Sequence, residues 1–282
     1  MAIDTRFTDL VGCELPLQLA AMGLVGTTEL AAAVTDAGGL GMVPSEWEPA
    51  PGACGVNFLV PFGPELDRVE QTAGRCRVVE FFYDDPREDL VEAVHRGGAL
   101  AGWQVGSAEE AAAAERCGCD YVAVQGTEAG GHVRGTQPLD QVLPAALAAV
   151  EVPVVAAGGV ATAERFAELM AAGADAVRVG TRFLTCPESG AHPDYVELLL
   201  SAGGDDTILT EWFGEHWEDA PHRVLRSAHD AARESGWRLP VPPHRDVDRP
   251  AADMAMYCGT GVGDVTEAQP AAAVVADLVR LL

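Results

Sequence analysis

Short apolar runs alternate with alanine-rich helical stretches along most of this chain. The runs lie at 17–21, 40–43, 55–60, 77–82, 100–105, 120–125, 152–159 and 175–180. Their apolar residues are consecutive, which is typical of parallel strands buried on both faces. The stretches between them have helical spacing, capping residues such as Ser107 and terminal glycines such as Gly38. The pattern predicts eight strands and about seven helices in alternation.

Eight β/α units in about the first 200 residues predict an α/β fold of the closed (β/α)8 class, a TIM barrel. The stretch PSEWEPAPGAC between the second and third runs holds three prolines, so we expect no full outer helix there. We expect residues 1–201 to form this barrel. Residues 202–282 lose the alternation, and we interpret them as a C-terminal helical and loop extension packed on the barrel, in the same domain.

The charge of the chain excludes several classes of partner. The net charge is −25, and all 18 basic residues are arginines. An acidic surface repels nucleic acid backbones and anionic lipid, so we expect neither partner. The absence of lysine excludes Schiff-base chemistry and a Walker-type phosphate loop.

Features that would indicate secretion or a metal centre are not visible in the sequence. No apolar run approaches the roughly 20 residues that cross a bilayer. The start MAIDTRFTDL lacks a basic region followed by an apolar stretch, so we expect a cytoplasmic protein. Cys117 and Cys119 have no second pair at zinc-site spacing, so we expect no metal site. We expect the cysteines to be reduced thiols. A homodimer remains open.

The strand ends at 158–159 and 180–181 carry glycines and a hydroxyl. In (β/α)8 barrels, functional groups gather at the carboxyl ends of the strands, often with a phosphate site after the last two. Backbone N–H groups at Gly159 and Gly180, with the Thr181 hydroxyl, suit a phosphate dianion. Alternatively, these glycines only form tight turns. Arg178 and Arg182 flank the second turn. One of them could face the phosphate, and the alternative for each is a plain surface arginine.

The stretch QGTEAGGHVRG follows the sixth predicted strand. Gly130 and Gly131 allow the backbone to approach a flat ligand and hold His132 over the barrel mouth. A histidine there can take a proton or stabilise an anion at neutral pH. The alternative is a loop histidine bonded to a backbone carbonyl. Glu128 either orients His132 or pairs with Arg134.

Several of these stretches together resemble the nitronate monooxygenase (2-nitropropane dioxygenase) family of FMN-dependent (β/α)8 enzymes. They include AAMGLVGTTELAAAVTDAGGLGMV, GVNFLVP, VQGTEAGGHVRG, VVAAGGVATAERFAELMAAGADAVRVGTRFL and LTEWFGEHWEDAPHRVLR. The resemblance implies that His132 is the catalytic histidine and that Arg178 stands beside the phosphate, where glutamine is common. The implied FMN contacts are Met22, Asn57, Gln125, Gly130, Gly159, Val179, Gly180 and Thr181.

The resemblance also implies a reaction. Family members oxidise alkyl nitronates with O2 to a carbonyl compound and nitrite, so the expected partners are a small nitronate or nitroalkane and O2. His132 would take the α-proton of a nitroalkane or stabilise a bound nitronate. The alternative on the same barrel is an FMN-dependent NAD(P)H reductase of quinones or enoyl thioesters, and a third is a non-catalytic flavin-binding protein. The chain departs from the family in its short segment between strands two and three and in Thr260, where glutamine is usual.

Overall fold

The computed structural model describes residues 2–49 and 54–282. Its main sheet has eight parallel strands hydrogen-bonded in the order β1-β8-β7-β6-β5-β4-β3-β2. Leu40 exchanges backbone hydrogen bonds with Leu17 and Leu19, which brings the two ends of the sheet together. The strands are β1 Leu17–Leu19, β2 Gly41–Pro44, β3 Cys54–Leu59, β4 Val78–Phe82, β5 Leu100–Val105, β6 Tyr121–Gln125, β7 Val154–Ala157 and β8 Ala176–Val179. The predicted TIM barrel is confirmed.

Helices follow most of the strands and begin where the sequence offers a cap. The side chains of Thr27, Ser107 and Thr162 each accept a hydrogen bond from a backbone N–H in the first turn. The helices are α1 Arg6–Val11, α2 Thr28–Asp36, α3 Leu66–Ala73, α4 Glu88–Gly97, α5 Ala108–Arg116, α6 Leu139–Ala149, α7 Ala163–Ala171, α8 Thr181–Leu184, α9 Pro193–Ser201, α10 Arg226–Ser235 and α11 Ala271–Leu278. No helix in the described ranges is long and apolar enough to cross a bilayer.

The connection from β2 to β3 lacks a helix in its described part. Residues 45–49 form a turn and irregular backbone, and residues 50–53 lie outside the described ranges. At the opposite end of the barrel, α1 packs Phe7 and Val11 against the interior residues Tyr121 and Val155. This helix covers that end of the described barrel.

The outer ring of helices differs from the predicted one at its eighth position. The sequence places the last barrel helix at PDYVELLLSAG, but α9 there packs mainly against the helical turns Ala251–Asp253 and Thr260–Asp264. α11 lies between α2 and α7, with Val274 and Leu278 in the main core. The ring is therefore completed by residues beyond 201, because α8 after β8 has only four residues.

A small antiparallel sheet lies over the mouth of the barrel. Residues Gly131–His132 pair with His222–Leu225, which in turn pair with Thr207–Thr210. In this register His132 lies opposite His222. The sheet connects the loop after β6 to the C-terminal part of the chain.

Candidate active site

A cavity of about 290 Å³ opens at the carboxyl ends of the strands. Its lining brings together residues that lie far apart in the sequence. Of the residues predicted to bind the cofactor or substrate, those in the lining are Met22, Asn57, Gln125, Gly130, His132, Gly159, Arg178, Gly180 and Thr181. Val179 is not in the lining, because its side chain packs in the core between strands and helices. A contact from Val179 to a ligand would have to come from its backbone.

The loop that carries His132 is held from three sides. The Gln125 amide donates to the His132 carbonyl (3.0 Å) and accepts from the backbone N–H of Arg134 (3.3 Å). The Arg223 guanidinium donates twice to the Thr127 carbonyl, at 3.0 and 2.7 Å. Pairing with His222 fixes the third side. The backbone of His132 is thus fixed before any ligand binds.

The imidazole of His132 lies in an aromatic surrounding. Trp217 stacks on it, and the rings of Tyr83 and Tyr257 lie 5.8 and 5.7 Å away. Its Nε2 atom is buried and has no hydrogen-bond partner among the described residues. Burial, with a smaller contribution from the neighbouring His222, lowers the pKa of His132 to about 3. The imidazole is therefore neutral at physiological pH.

The glycines around the cavity permit close approach of the backbone. A Cβ on Gly130 would lie 2.5 Å from both the Cys258 carbonyl carbon and the Gly259 nitrogen. Gly159 has φ +70°, and its missing Cβ faces the Thr260 hydroxyl at 3.2 Å. The Thr181 hydroxyl accepts a hydrogen bond from Gly259 N–H at 2.9 Å. Through these contacts the loop at 257–261 packs against the residues that follow β6, β7 and β8.

Two charged side chains near the site make contacts that the sequence did not indicate. Glu128 neither orients His132 nor pairs with Arg134: its carboxylate accepts from Leu139 N–H at the start of α6. A carboxylate is favourable there because unpaired N–H groups carry partial positive charge. Arg182 is not a surface residue: it is 6% exposed, lies outside the cavity lining and donates to the Glu267 carbonyl and the Gln269 side chain.

Arg178 faces the cavity from the interior of the barrel. Its guanidinium donates to Glu80, Gln18 and Gln104 and is 6% exposed, so it is not a surface residue either. These bonds hold it at the floor of the cavity. A phosphate contact by Arg178 stays a prediction.

Two aromatic residues of the site were not predicted from the sequence. Trp217 and Tyr257 line the cavity from the C-terminal part of the chain. The Tyr257 hydroxyl is buried without a partner among the described residues, and burial raises its pKa. The sequence signal for Trp217 was the resemblance of LTEWFGEHWEDAPHRVLR to a family stretch, whereas Tyr257 lies close to Thr260, where the chain departs from the family. Neither residue follows a barrel strand.

Comparison with known proteins agrees with this geometry. The family model for nitronate monooxygenase matches residues 43–280. A Mycobacterium tuberculosis protein, (3aS,4S,5R,7aS)-5-hydroxy-7a-methyl-1-oxo-octahydro-1H-indene-4-carboxyl-CoA dehydrogenase, is 34% identical over 84% of this chain and 70% of its own length. The nitronate monooxygenase of Pseudomonas aeruginosa is 31% identical over 79% of this chain and 81% of its own. FabK from Thermotoga maritima superposes with a TM-score of 0.86 at 28% identity, covering 99% of this chain and 96% of FabK.

The family match extends over most of the barrel and the C-terminal extension, including the loops that carry His132, Gly180 and Thr181. Members of this family are flavin-dependent oxidoreductases. On this match and the identities above, the chain is an enzyme that belongs to the nitronate monooxygenase family.

Proposed function

We propose that this enzyme binds FMN and oxidises alkyl nitronates with O2 to a carbonyl compound and nitrite. The observation that carries the proposal is the buried, unpartnered Nε2 of His132 in the wall of the cavity. Buried polar atoms normally have a hydrogen-bond partner, so an exception at a cavity indicates a group that a ligand completes.

The lining of the cavity fits FMN in two respects. Gly159, Gly180 and Thr181 offer backbone N–H groups and a hydroxyl at the ends of β7 and β8, where a phosphate would be held. Gly131 lines the cavity and has nothing within 4 Å of its missing Cβ, so that part of the wall carries no side chain, which suits a flat ring system. Bound FMN would supply the redox chemistry, while the protein orients the substrate and excludes water.

His132 would handle the proton or the negative charge of the substrate. A neutral imidazole has one nitrogen that donates and one that accepts. It can thus donate to an oxygen of a bound nitronate or accept the α-proton of a nitroalkane at Nε2. An anion beside the ring favours the protonated imidazole, so a bound nitronate would raise the pKa of His132 from about 3.

The remaining walls favour an alkyl substituent. Leu59, Phe62 and Phe82 line the cavity near the ends of β3 and β4. Phe62 is 59% exposed and lies at the mouth. Burial of an alkyl chain against these side chains contributes about 25 cal/mol per Å².

The alternative is hydride transfer from NAD(P)H to a quinone or an enoyl thioester. The similarity to FabK and to the Mycobacterium tuberculosis dehydrogenase, whose name gives a CoA ester, favours it. The match to the nitronate monooxygenase model over residues 43–280 and the similarity to the Pseudomonas aeruginosa nitronate monooxygenase weigh against this alternative. We therefore place it second.

Visible spectroscopy of the purified protein separates the two reactions. After anaerobic addition of propyl-2-nitronate, we expect rapid loss of the oxidised-flavin absorbance, and nitrite and acetone should form once O2 is admitted. Anaerobic NADH and NADPH should bleach it slowly or not at all. Fast bleaching by NAD(P)H with none by nitronate would establish the alternative, and absence of flavin after incubation with FMN would contradict both.

A further inference from the structure

Beneath the cavity, the interior of the barrel contains a buried ion pair. Arg178 on β8 and Glu80 on β4 are 6% and 1% exposed, and the guanidinium donates to the carboxylate. Three further donors reach Glu80: the Tyr121 hydroxyl at 2.8 Å, the Asn57 amide at 3.0 Å and the Gln18 amide at 3.3 Å. The carboxylate is therefore fully satisfied by the protein itself.

The two charges of this pair lie at different depths. Arg178 lines the cavity together with Asn57 and Gln104, whereas Glu80 is not in its lining. The acidic group is covered by its donors, and the basic group faces the cavity. The pair is thus a fixed dipole whose positive end is directed toward the cavity.

The guanidinium also retains hydrogen-bonding capacity. Its contacts with Gln18, Gln104 and Glu80 use four of its five N–H groups and leave one on Nη1. The amide oxygens of Gln18 and Gln104 are neutral acceptors, so they orient the guanidinium without cancelling its charge. The arrangement fixes the side chain and leaves a donor for a ligand at the cavity floor.

The surrounding residues are shaped to permit this buried pair. A Cβ on Gly102 would lie 2.3 Å from the Tyr121 ring, so only glycine allows that ring to cross β5 and reach Glu80. Burying an ion pair costs free energy that apolar residues of the same volume would not cost. A stable core alone does not require the charge, which points to a role toward the ligand.

We propose that Arg178 sets the reduction potential of the bound flavin by stabilising the negative charge that the flavin gains on reduction. The inference rests on the flavin proposal above and concerns the electronics of the cofactor, not its binding. A cation in a site that excludes water acts strongly, because the effective dielectric constant there is far below that of water. A higher potential would assist electron transfer from the substrate.

The test is the midpoint potential of Arg178→Gln, with FMN and riboflavin affinities measured in parallel. Glutamine keeps a donor and removes the charge. We expect both ligands to bind the oxidised variant within about threefold of wild type, and the preference for reduced over oxidised flavin to fall about tenfold or more. A tenfold fall is about 30 mV for a two-electron couple. An unchanged potential would overturn the proposal.

Comparing the two ligands identifies a phosphate contact instead. If Arg178 held the phosphate, Arg178→Gln would lose affinity for FMN and keep its affinity for riboflavin, with no change in potential. That result would also overturn the proposal, but it would leave the flavin enzyme intact. A wild-type protein that binds no flavin would contradict the proposed function itself.

Two further variants control for folding and for loss of any arginine. Arg182→Gln removes a buried arginine on α8 that donates to Glu267 and Gln269 and does not line the cavity. Its potential should match that of wild type. If Arg178→Gln fails to fold because Glu80 is left unpaired, the double variant with Glu80→Gln removes both charges. Its potential should fall in the same direction but by less, because no unpaired carboxylate remains beneath the flavin, and a wild-type value there would overturn the proposal.

Discussion

The imidazole of His132 stacks on the indole of Trp217, with ring centroids 3.9 Å apart and 25° between the planes. Trp217 belongs to the loop between strands Thr207–Thr210 and His222–Leu225. His216 and Asp219 in this loop have φ of 69° and 55°, which non-glycine residues adopt only when the surroundings require it. The loop therefore holds Trp217 over His132, and this cover contributes to the burial that keeps the imidazole neutral.

Replacement of His132 by alanine tests its role directly. We expect kcat/KM for an alkyl nitronate or nitroalkane to fall about 100-fold or more, because the ligand loses its proton acceptor or donor. FMN should still bind within a few-fold of wild type. The control is His95→Ala, which removes an imidazole paired with Asp120 on the surface. Full turnover in His132→Ala would contradict the assignment.

Removal of the indole should change the pH dependence of the enzyme. Trp217→Ala admits water to His132, so its pKa should rise from about 3 toward the ordinary 6.5. If turnover needs the neutral imidazole, the variant should lose kcat/KM below about pH 6, where the wild type stays active. Trp217→Phe keeps an aromatic cover and serves as the control. Equal pH profiles for all three proteins would show that Trp217 does not exclude water from His132.

The buried imidazole should also make folding stability depend on pH. His132 has a lower pKa in the folded protein (about 3) than in the unfolded chain (6.5), so the unfolded state binds more protons at intermediate pH. Its contribution is complete above pH 6.5 and is lost as pH falls from there toward 3.

Urea unfolding of wild type and His132→Gln at pH 7.5 and pH 5 measures this effect. The wild type should lose about 2 kcal/mol more than the variant between the two values. Comparing the two proteins cancels the carboxylates and the other histidines. An equal loss in both proteins would mean that His132 is solvated in solution.

Alanine substitutions at the adjacent Gly130 and Gly131 should lower the folding stability by different amounts. At Gly130 an added methyl would lie 2.5 Å from backbone atoms of Cys258 and Gly259, so the loop at 257–261 must move. At Gly131 nothing lies within 4 Å of an added methyl, and only the φ of +72° opposes it. Gly131→Ala should cost about 1–2 kcal/mol and Gly130→Ala more. Urea midpoints and FMN affinity check this, and Gly130→Ala should also weaken FMN binding more. A smaller effect at Gly130 would contradict the close packing.

The positions of the functional residues along the chain were predictable, whereas their partners were not. The predictions that Gly159, Gly180 and Thr181 lie at the cavity and that His132 lies at its mouth needed only the count of strands, because parallel strands of a barrel end at one face. Which residues of β8 face the barrel interior was not predictable: Arg178 points into the barrel and Val179 into the helix layer. Adjacent residues on a strand face opposite sides, but only closure of the barrel decides which side is inside.

The eight strands, the capped helices and the strand ends were predictable because they follow from apolar runs, capping residues and glycines that are local in the chain. The contacts between distant segments arise only on folding: Arg178 pairs with Glu80, 98 residues away, and His132 lies beneath Trp217. The position of α11, which completes the outer ring, likewise arises only on folding. No local pattern encodes these contacts, because each exists only where closure of the barrel brings remote side chains into one buried space.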